Sequence, residues 1–305
     1  MIYTVTLNPS IDYFVVLEDE LVEGTIARTN NTSIRAGGKG INISLVLSSI
    51  GIPSKAIMFL GGCIGALIEK EVSAAKGIDV VKVKIDEENR INIKINNQTE
   101  TAINAIGPTV TMEQQNDLLS KLAHLESNDY VLVSGSFCKG VGVDLVEKIA
   151  SIVSKAKAKL ITDIPNLKVS DYKIIKPYLV KPNLEELADI FGEKVNETNY
   201  REYVEKLIDI GIENVLVSMG ESGSYFANKS GKNKIIGPEV EVVNTVGCGD
   251  SMLAYTIASI ASNLDIIESV KYGEAAGRAK AKTKEFPTVT DVKEIYNKVI
   301  VEKIK

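Results

Sequence analysis

The sequence predicts an α/β protein: a doubly wound, mostly parallel sheet with helices on both faces, plus a small separate β-sheet forming a lid. Two observations carry this. Short apolar runs of strand length alternate with longer amphipathic runs almost throughout the 305 residues, the pattern of a mostly parallel sheet covered on both sides. Two stretches, 12–35 and 89–105, break the alternation with polar-apolar sequences that suit strands with one wet face.

In order, apolar runs at 3–7, 55–59, 80–85, 130–133, 160–163, 179–181 and 215–218 predict strands. Helices are expected at 40–50, 66–76, 112–125, 144–155, 184–191, 200–210, 251–262, 266–282 and 292–301. The segment Asn89-Arg-Ile-Asn-Ile-Lys-Ile-Asn96, followed by Asn97-Gln-Thr-Glu-Thr-Ala-Ile-Asn104, reads as a hairpin. With the runs 13–17 and 25–29 it predicts one sheet split in sequence. The expected division is a main domain of 1–11, 36–87 and 106–305, and a lid of 12–35 and 88–105. An exposed face on so small a sheet favours pairing with a second copy. In an open α/β sheet, ligands bind beyond the carboxyl ends of the strands, so residues just after each strand are the candidates for chemistry.

Bulk properties exclude several functions. The net charge is −5, from 40 acidic and 35 basic residues, which gives no basic face for nucleic acid. Cys63, Cys138 and Cys248 lie far apart and make neither a zinc spacing nor a disulfide framework. Free thiols suit a reducing cytoplasm. No apolar run is long enough for a membrane span, and Met1-Ile-Tyr-Thr-Val-Thr-Leu7 reads as a first strand rather than a signal peptide.

Two glycine-rich segments could hold an anion. Gly247-Cys248-Gly249-Asp250 precedes an apolar helical run. A helix start carries unpaired N–H groups and partial positive charge, and flanking glycines let a phosphate approach. Asp250 then stands where it can take a proton from an attacking hydroxyl, as an easily ionised carboxylate. The competing reading is a helix capped by Asp250. Gly37-Gly38-Lys39-Gly40 leads into another helix, with Lys39 as a point charge for phosphate. It lacks P-loop spacing, and an exposed lysine on a glycine turn explains it equally well. His124, the only histidine, falls on a polar stretch and is expected at the surface.

Taken in order, the segments Thr6-Leu-Asn-Pro-Ser-Ile-Asp12, Gly37-Gly-Lys-Gly-Ile-Asn42, Arg90-Ile-Asn-Ile-Lys94, Ser134-Gly-Ser136, Lys181-Pro-Asn-Leu-Glu-Glu186, Ser218-Met-Gly-Glu-Ser-Gly223 and Asn244-Thr-Val-Gly-Cys-Gly-Asp-Ser-Met252 resemble the ribokinase-like (PfkB) carbohydrate kinases. The resemblance runs nearly end to end and is strongest to the phosphosugar branch. It implies transfer of a phosphoryl group from ATP, with Mg²⁺, to a phosphosugar: fructose 1-phosphate first, tagatose 6-phosphate second. It implies Asp250 as base and the backbone of Gly247, Cys248 and Gly249 as anion hole. Lys181, Asn183, Ser218, Gly220 and Gly223 match the nucleotide-binding positions, and Asn183 and Glu186 the Mg²⁺ motif. Asp12, Gly38, Lys39, Asn42, Arg90, Asn92 and Ser136 match the substrate positions, with Lys39, Arg90 and more weakly Arg28 for its existing phosphate. Lys94 suits solvent equally well.

Departures from the family pattern stand at Cys248 for alanine, Phe137-Cys138 for Leu-Pro, Asp163-Ile-Pro-Asn166 for Asp-Ser/Thr-Ser-Gly, and Arg278 for a small residue. A thiol at a helix start can have a lowered pKa, which would make Cys248 a candidate for oxidation or alkylation; an inert replacement for alanine, which it resembles in size, is the favoured reading. The departures also keep open a sugar-phosphate-binding protein that has lost catalysis. Lys39 and Arg90 speak against a kinase for an unphosphorylated sugar.

Overall fold

A computed structural model of the chain describes residues 1–97 and 100–304. In chain order its elements are β1 (Ile2–Thr6), β2 (Ser10–Val16), β3 (Thr32–Gly37), α1 (Lys39–Ser49), β4 (Ser54–Leu60), α2 (Gly62–Ser73), β5 (Ile78–Lys84), β6 (Arg90–Asn96), β7 (Glu100–Asn104), α3 (Met112–Ser120), β8 (Tyr130–Ser134) and α4 (Val143–Lys155). There follow β9 (Lys159–Asp163), α5 (Val169–Ile175), β10 (Leu179–Val180), α6 (Leu184–Phe191), α7 (Tyr200–Asp209), β11 (Asn214–Ser218), β12 (Ser224–Asn228), β13 (Gly231–Ile236), α8 (Cys248–Ala261), α9 (Ile266–Ala281), α10 (Val289–Tyr296) and β14 (Ile300–Ile304).

Ten strands form the central sheet in the order β14-β13-β12-β11-β10-β9-β8-β1-β4-β5. From β11 to β5 every neighbouring pair is parallel, and β12, β13 and β14 extend the other edge antiparallel. The period of two along each strand divides the core. Val5, Val131, Val133, Val215 and Val217 pack into one layer with α4 and α7. Ile2, Leu132, Ile161, Leu216 and Phe226 pack into the other, with α1, α8 and α9. Helix α8 is buried almost all round, from Met252 to Ile260, so its apolar run needs no wet face. Among the described residues no helix is long and apolar enough to cross a membrane.

A second sheet of four strands runs β3-β2-β6-β7. Its middle pair, β2 and β6, is parallel although Val16 and Arg90 lie 74 positions apart; the two interruptions thus join in one sheet. The turn expected between β6 and β7 falls partly at 98–99, outside the described residues.

Several expectations fail locally, for identifiable reasons. The run 25–29 is not a strand: Ile26 is 78% exposed, and Thr25 turns back to the Val22 carbonyl through its N–H and its hydroxyl. Helix α3 ends at Ser120, short of 125. The helix expected to 301 ends at Tyr296, and β14 then pairs with β13. The run Ile300-Val-Glu-Lys-Ile304 has no apolar-polar alternation and Ile300 is exposed, so the strand is specified by its pairing with β13 rather than by a pattern of its own. The hairpin β12–β13 and the short helix α5 are additional to the expected elements.

Candidate active site

The carboxyl ends of β1, β8, β9, β10 and β11 converge with the starts of α1, α6 and α8. Gly247, with φ of 83°, is the N-cap of α8, and no side chain caps that end. Asp250 is therefore not the cap but the third residue of the helix. It is only 8% exposed, and Asn42 donates from Nδ2 to its Oδ2 at 2.7 Å.

Around it lies a compact charge network. Lys39 Nζ donates to Asp163 Oδ1 at 2.9 Å and to Glu186 Oε1 at 3.2 Å. Lys181 Nζ lies 3.9 Å from Asp163 Oδ2, both side chains nearly inaccessible. The environment separates the two aspartates. Burial and then the negative charge of Asp163 push the Asp250 carboxyl up to about 6, against the opposing pull of the Asn42 hydrogen bond, Lys39 and Lys181. Burial alone would raise Asp163 too, but Lys181 and Lys39 outweigh it and hold that carboxyl below its ordinary value. The expectation of an easily ionised Asp250 is thus corrected: full burial outweighs the helix start. Such a carboxylate is a better proton acceptor near neutral pH.

Lys39 sits where it does because the chain before it can pass so close to β1. A Cβ on Gly38, whose φ is 123°, would come 2.8 Å from Thr6 Cγ2, and one on Gly40 would come 2.4 Å from Thr6 Oγ1. Of the three glycines in the turn only Gly38 has a positive φ; Gly40 serves by its lack of a side chain. Burial would lower the Lys39 ammonium, yet Asp163 and Glu186 hold it above its ordinary value. Its partners lie on the side of Asp163 and Glu186, not on the small sheet with Arg90.

Asn183 and Glu186 form a reciprocal capping box at the start of α6: Asn183 Oδ1 accepts from Glu186 N at 2.8 Å, and Glu186 Oε2 accepts from Asn183 N at 3.0 Å. The pair thus has a structural task, with Glu186 Oε1 facing Lys39. Among the described residues no three His, Cys, Asp or Glu side chains are grouped to hold a metal ion. Glu186 with phosphate oxygens and water is a donor set that fits Mg²⁺, which keeps much of its hydration.

On the opposite side, Asp12, Asn92 and Asn104 lie in one row across β2, β6 and β7. Asp12 Oδ1 accepts from Ser10 Oγ and from Asn92 Nδ2, both at 2.8 Å. The Oδ1 atoms of Asn92 and Asn8 are buried without a partner, an arrangement that calls for ligand hydroxyls or water. Arg90 is more engaged than the sequence suggests. Its Nε and Nη2 donate to the Asn8 carbonyl and its Nη1 to the Ala105 carbonyl, so it braces the base of the small sheet. Asn8 Nδ2 approaches Ser136 Oγ at 3.5 Å. Arg28 is exposed, Lys94 donates to Asn104, and His124 is exposed.

Ser218 ends β11, and the turn Gly220–Ser222 follows it, closed by Met219 N donating to the Gly223 carbonyl. Arg278 reaches this turn from α9. It donates from Nη2 to the Glu221 carbonyl and from Nε to Glu274 Oε1, each at 2.9 Å. This unusual arginine is therefore pinned in place rather than projecting loosely.

Cys248 follows the inert reading. Burial pushes its thiol up, with Lys280 opposing, so the helix start does not make it a reactive thiolate. At pH 7.5 iodoacetamide is expected to label exposed Cys63 well before Cys248, as read by peptide mass spectrometry.

Asn8, Asp163 and Lys280 were not assigned roles by sequence reasoning. Asp163 had an available signal, being an acidic residue that closes a strand at the carboxyl edge; Lys280, late in a helix, had none.

Comparison with known proteins covers the whole of this arrangement. Residues 5–287 match the family described as pfkB family carbohydrate kinase. The chain is 37% identical over 311 residues to a 1-phosphofructokinase of Borreliella burgdorferi, covering 100% of this chain and 99% of the relative. It is 34% identical over 286 residues to a D-tagatose-1-phosphate kinase of Bacillus licheniformis, with 93% of each covered. Phosphofructokinase-2 of Escherichia coli in complex with substrates and products superposes with a TM-score of 0.89 at 25% identity, covering 97% of this chain and 98% of that one.

Proposed function

Because the chain belongs to the pfkB family of carbohydrate kinases, we propose that it transfers the terminal phosphoryl group of ATP to a phosphosugar, foremost fructose 1-phosphate, giving fructose 1,6-bisphosphate and ADP. The observation that carries this reading is the buried Asp250 carboxylate, held by Asn42 and raised to about 6, at the uncapped start of α8.

In this reading the acceptor hydroxyl approaches between Asp250 and the phosphoryl group. As its oxygen bonds to phosphorus, its proton passes to Asp250, and the bond to ADP breaks. The backbone at 247–249 with the α8 dipole faces the equatorial oxygens, where charge is greatest in transfer. Lys39 and Lys181 supply positive charge beside the same oxygens. Mg²⁺, when bound, neutralises the donor phosphates, with Glu186 and Asn183 at its edge. Asp12 and Asn92 orient the sugar hydroxyls, and Asn42 and Ser136 line the same side. Arg90 meets the substrate's own phosphate through the N–H groups its carbonyl contacts leave over, with Gly38 allowing close approach. Ser218, Gly220 and Gly223 border the nucleotide. The four-stranded sheet acts as a lid and offers its outer face to a second copy.

The relative named 1-phosphofructokinase at 37% identity supports fructose 1-phosphate; a tagatose phosphate, with relatives named for its 1- and 6-phosphate at 34%, is the second reading. A binding protein without catalysis is disfavoured, since Asp250, Asn42, Lys39, Asp163 and Lys181 stand in one connected network. The test is ADP release with a panel of fructose 1-phosphate, tagatose 1-phosphate, tagatose 6-phosphate, fructose 6-phosphate and fructose. Fructose 1-phosphate is expected to give the highest kcat/KM. No release with any of them would refute the kinase reading.

A further inference from the structure

Lys280 is 2% exposed and lies in the last turn of α9. Its ammonium donates to one acceptor, the Thr283 carbonyl, at 2.9 Å. The Thr283 hydroxyl in turn donates to the carbonyls of Lys280 and Glu285, which fixes the turn beyond the helix. Among the described residues no carboxylate pairs with Lys280. The charged and titratable groups that face it are the Cys248 thiol, Glu285 and Arg35, and Glu285 is exposed and already bidentate with Arg35. The lysine stem packs behind the loop at the head of α8: a Cβ on Gly247 would lie 3.6 Å from Lys280 Cε and 3.1 Å from the Phe286 ring.

An ammonium buried without a counter-ion is unfavourable, and placing it beside the positive end of α8 adds to that. The carbonyl end of α9 offsets part of this, and an ordinary helix-end lysine would need nothing more. Such a lysine would, however, reach solvent by its flexible stem; this one is enclosed against Gly247. The arrangement becomes favourable once an anion occupies the loop at 247–250. Resting on the kinase reading, we propose that Lys280 is a positioning residue for phosphoryl transfer: its enclosed ammonium backs the 247–250 loop and adds a fixed positive charge behind the phosphoryl site.

Lys280→Met keeps the length and apolar stem and removes the charge. With Mg-ATP and fructose 1-phosphate, kcat is expected to fall by about tenfold or more, while KM for the phosphosugar stays within about twofold. The melting temperature of the ligand-free protein is expected to hold or rise, and the upward shift produced by Mg-ATP to shrink. In Lys280→Ala, added methylammonium or potassium ions restore part of the turnover. Wild-type turnover in the same assay tests the kinase reading separately, and the Mg-ATP shift reads Lys280 without any sugar. The proposal is overturned if the Lys280→Met protein turns over within about twofold of wild type or keeps the full Mg-ATP shift. It is overturned equally if activity falls only in step with ligand-free stability and neither cation restores it in Lys280→Ala.

Discussion

Asp250→Asn is expected to lower kcat with fructose 1-phosphate by roughly 10²–10⁴-fold, the usual contribution of a positioned base, while ATP binding changes little. The amide keeps the size of the carboxyl and can still accept from Asn42, so geometry survives and only proton acceptance is lost. The same substitution carries an opposite effect on stability. The folded protein raises Asp250 from 3.8 to about 6, so the group's favourable contribution is fully present below about pH 4 and is lost as pH rises through 6. At pH 8 a buried negative charge remains, worth on the order of 2–3 kcal/mol of destabilisation. Asparagine carries no such charge. The variant is therefore expected to melt a few degrees above wild type at pH 8, with the gap closing toward pH 4. Full turnover in Asp250→Asn would refute its role as base; a lower melting temperature at pH 8 would refute the account of its burial.

Lys39→Met is the second large change. It removes a cation beside the transferred group, for which loss of about 10²–10³-fold in kcat is expected. It also leaves Asp163, almost wholly buried, with Lys181 at 3.9 Å as its one remaining ammonium. Breaking a buried pair costs about 3–5 kcal/mol; since Lys39 is partly exposed and Lys181 stays, about 2 kcal/mol is expected, measured by urea unfolding. A further consequence separates this substitution from a simple structural one. Lys39 is among the charges that lower Asp250, so without it the acid limb of the remaining activity moves to higher pH. An unmoved limb would show that Lys39 and Asp250 do not share a field.

Much of this site was legible because its residues follow strands. Lys181, Asn183 and Ser218 each stand at or just beyond the end of a central-sheet strand, where an α/β sheet presents its ligand-facing groups, whereas Lys39 follows β3 of the small sheet and is marked by its glycine turn. Asp250 was visible as chemistry but not as environment. Its nearness to a helix start is local and can be read, whereas burial beneath α1 and the facing Asp163, 87 positions away, are products of the tertiary fold. The choice between a reactive and an inert Cys248 has the same origin: the local dipole can be read from sequence, and the desolvation that outweighs it cannot. The bracing contacts of Arg90 are not legible, because its acceptors are backbone carbonyls at Asn8 and Ala105, which no side-chain pattern announces. In the fold, the parallel core followed from apolar runs, while β14 was hidden because Val299-Ile-Val301 continues the apolar spacing of α10.

The most direct measurement of the central claim is the pH dependence of kcat/KM for fructose 1-phosphate, corrected for the ionisation of the substrate's own phosphate at about 6 so that it reports the free enzyme. If buried Asp250 is the base, kcat/KM rises with pH along a single-proton limb centred near 6 and levels above it. A profile flat from pH 5 to 8, or a limb near the ordinary carboxyl value of 3.8, would contradict the account.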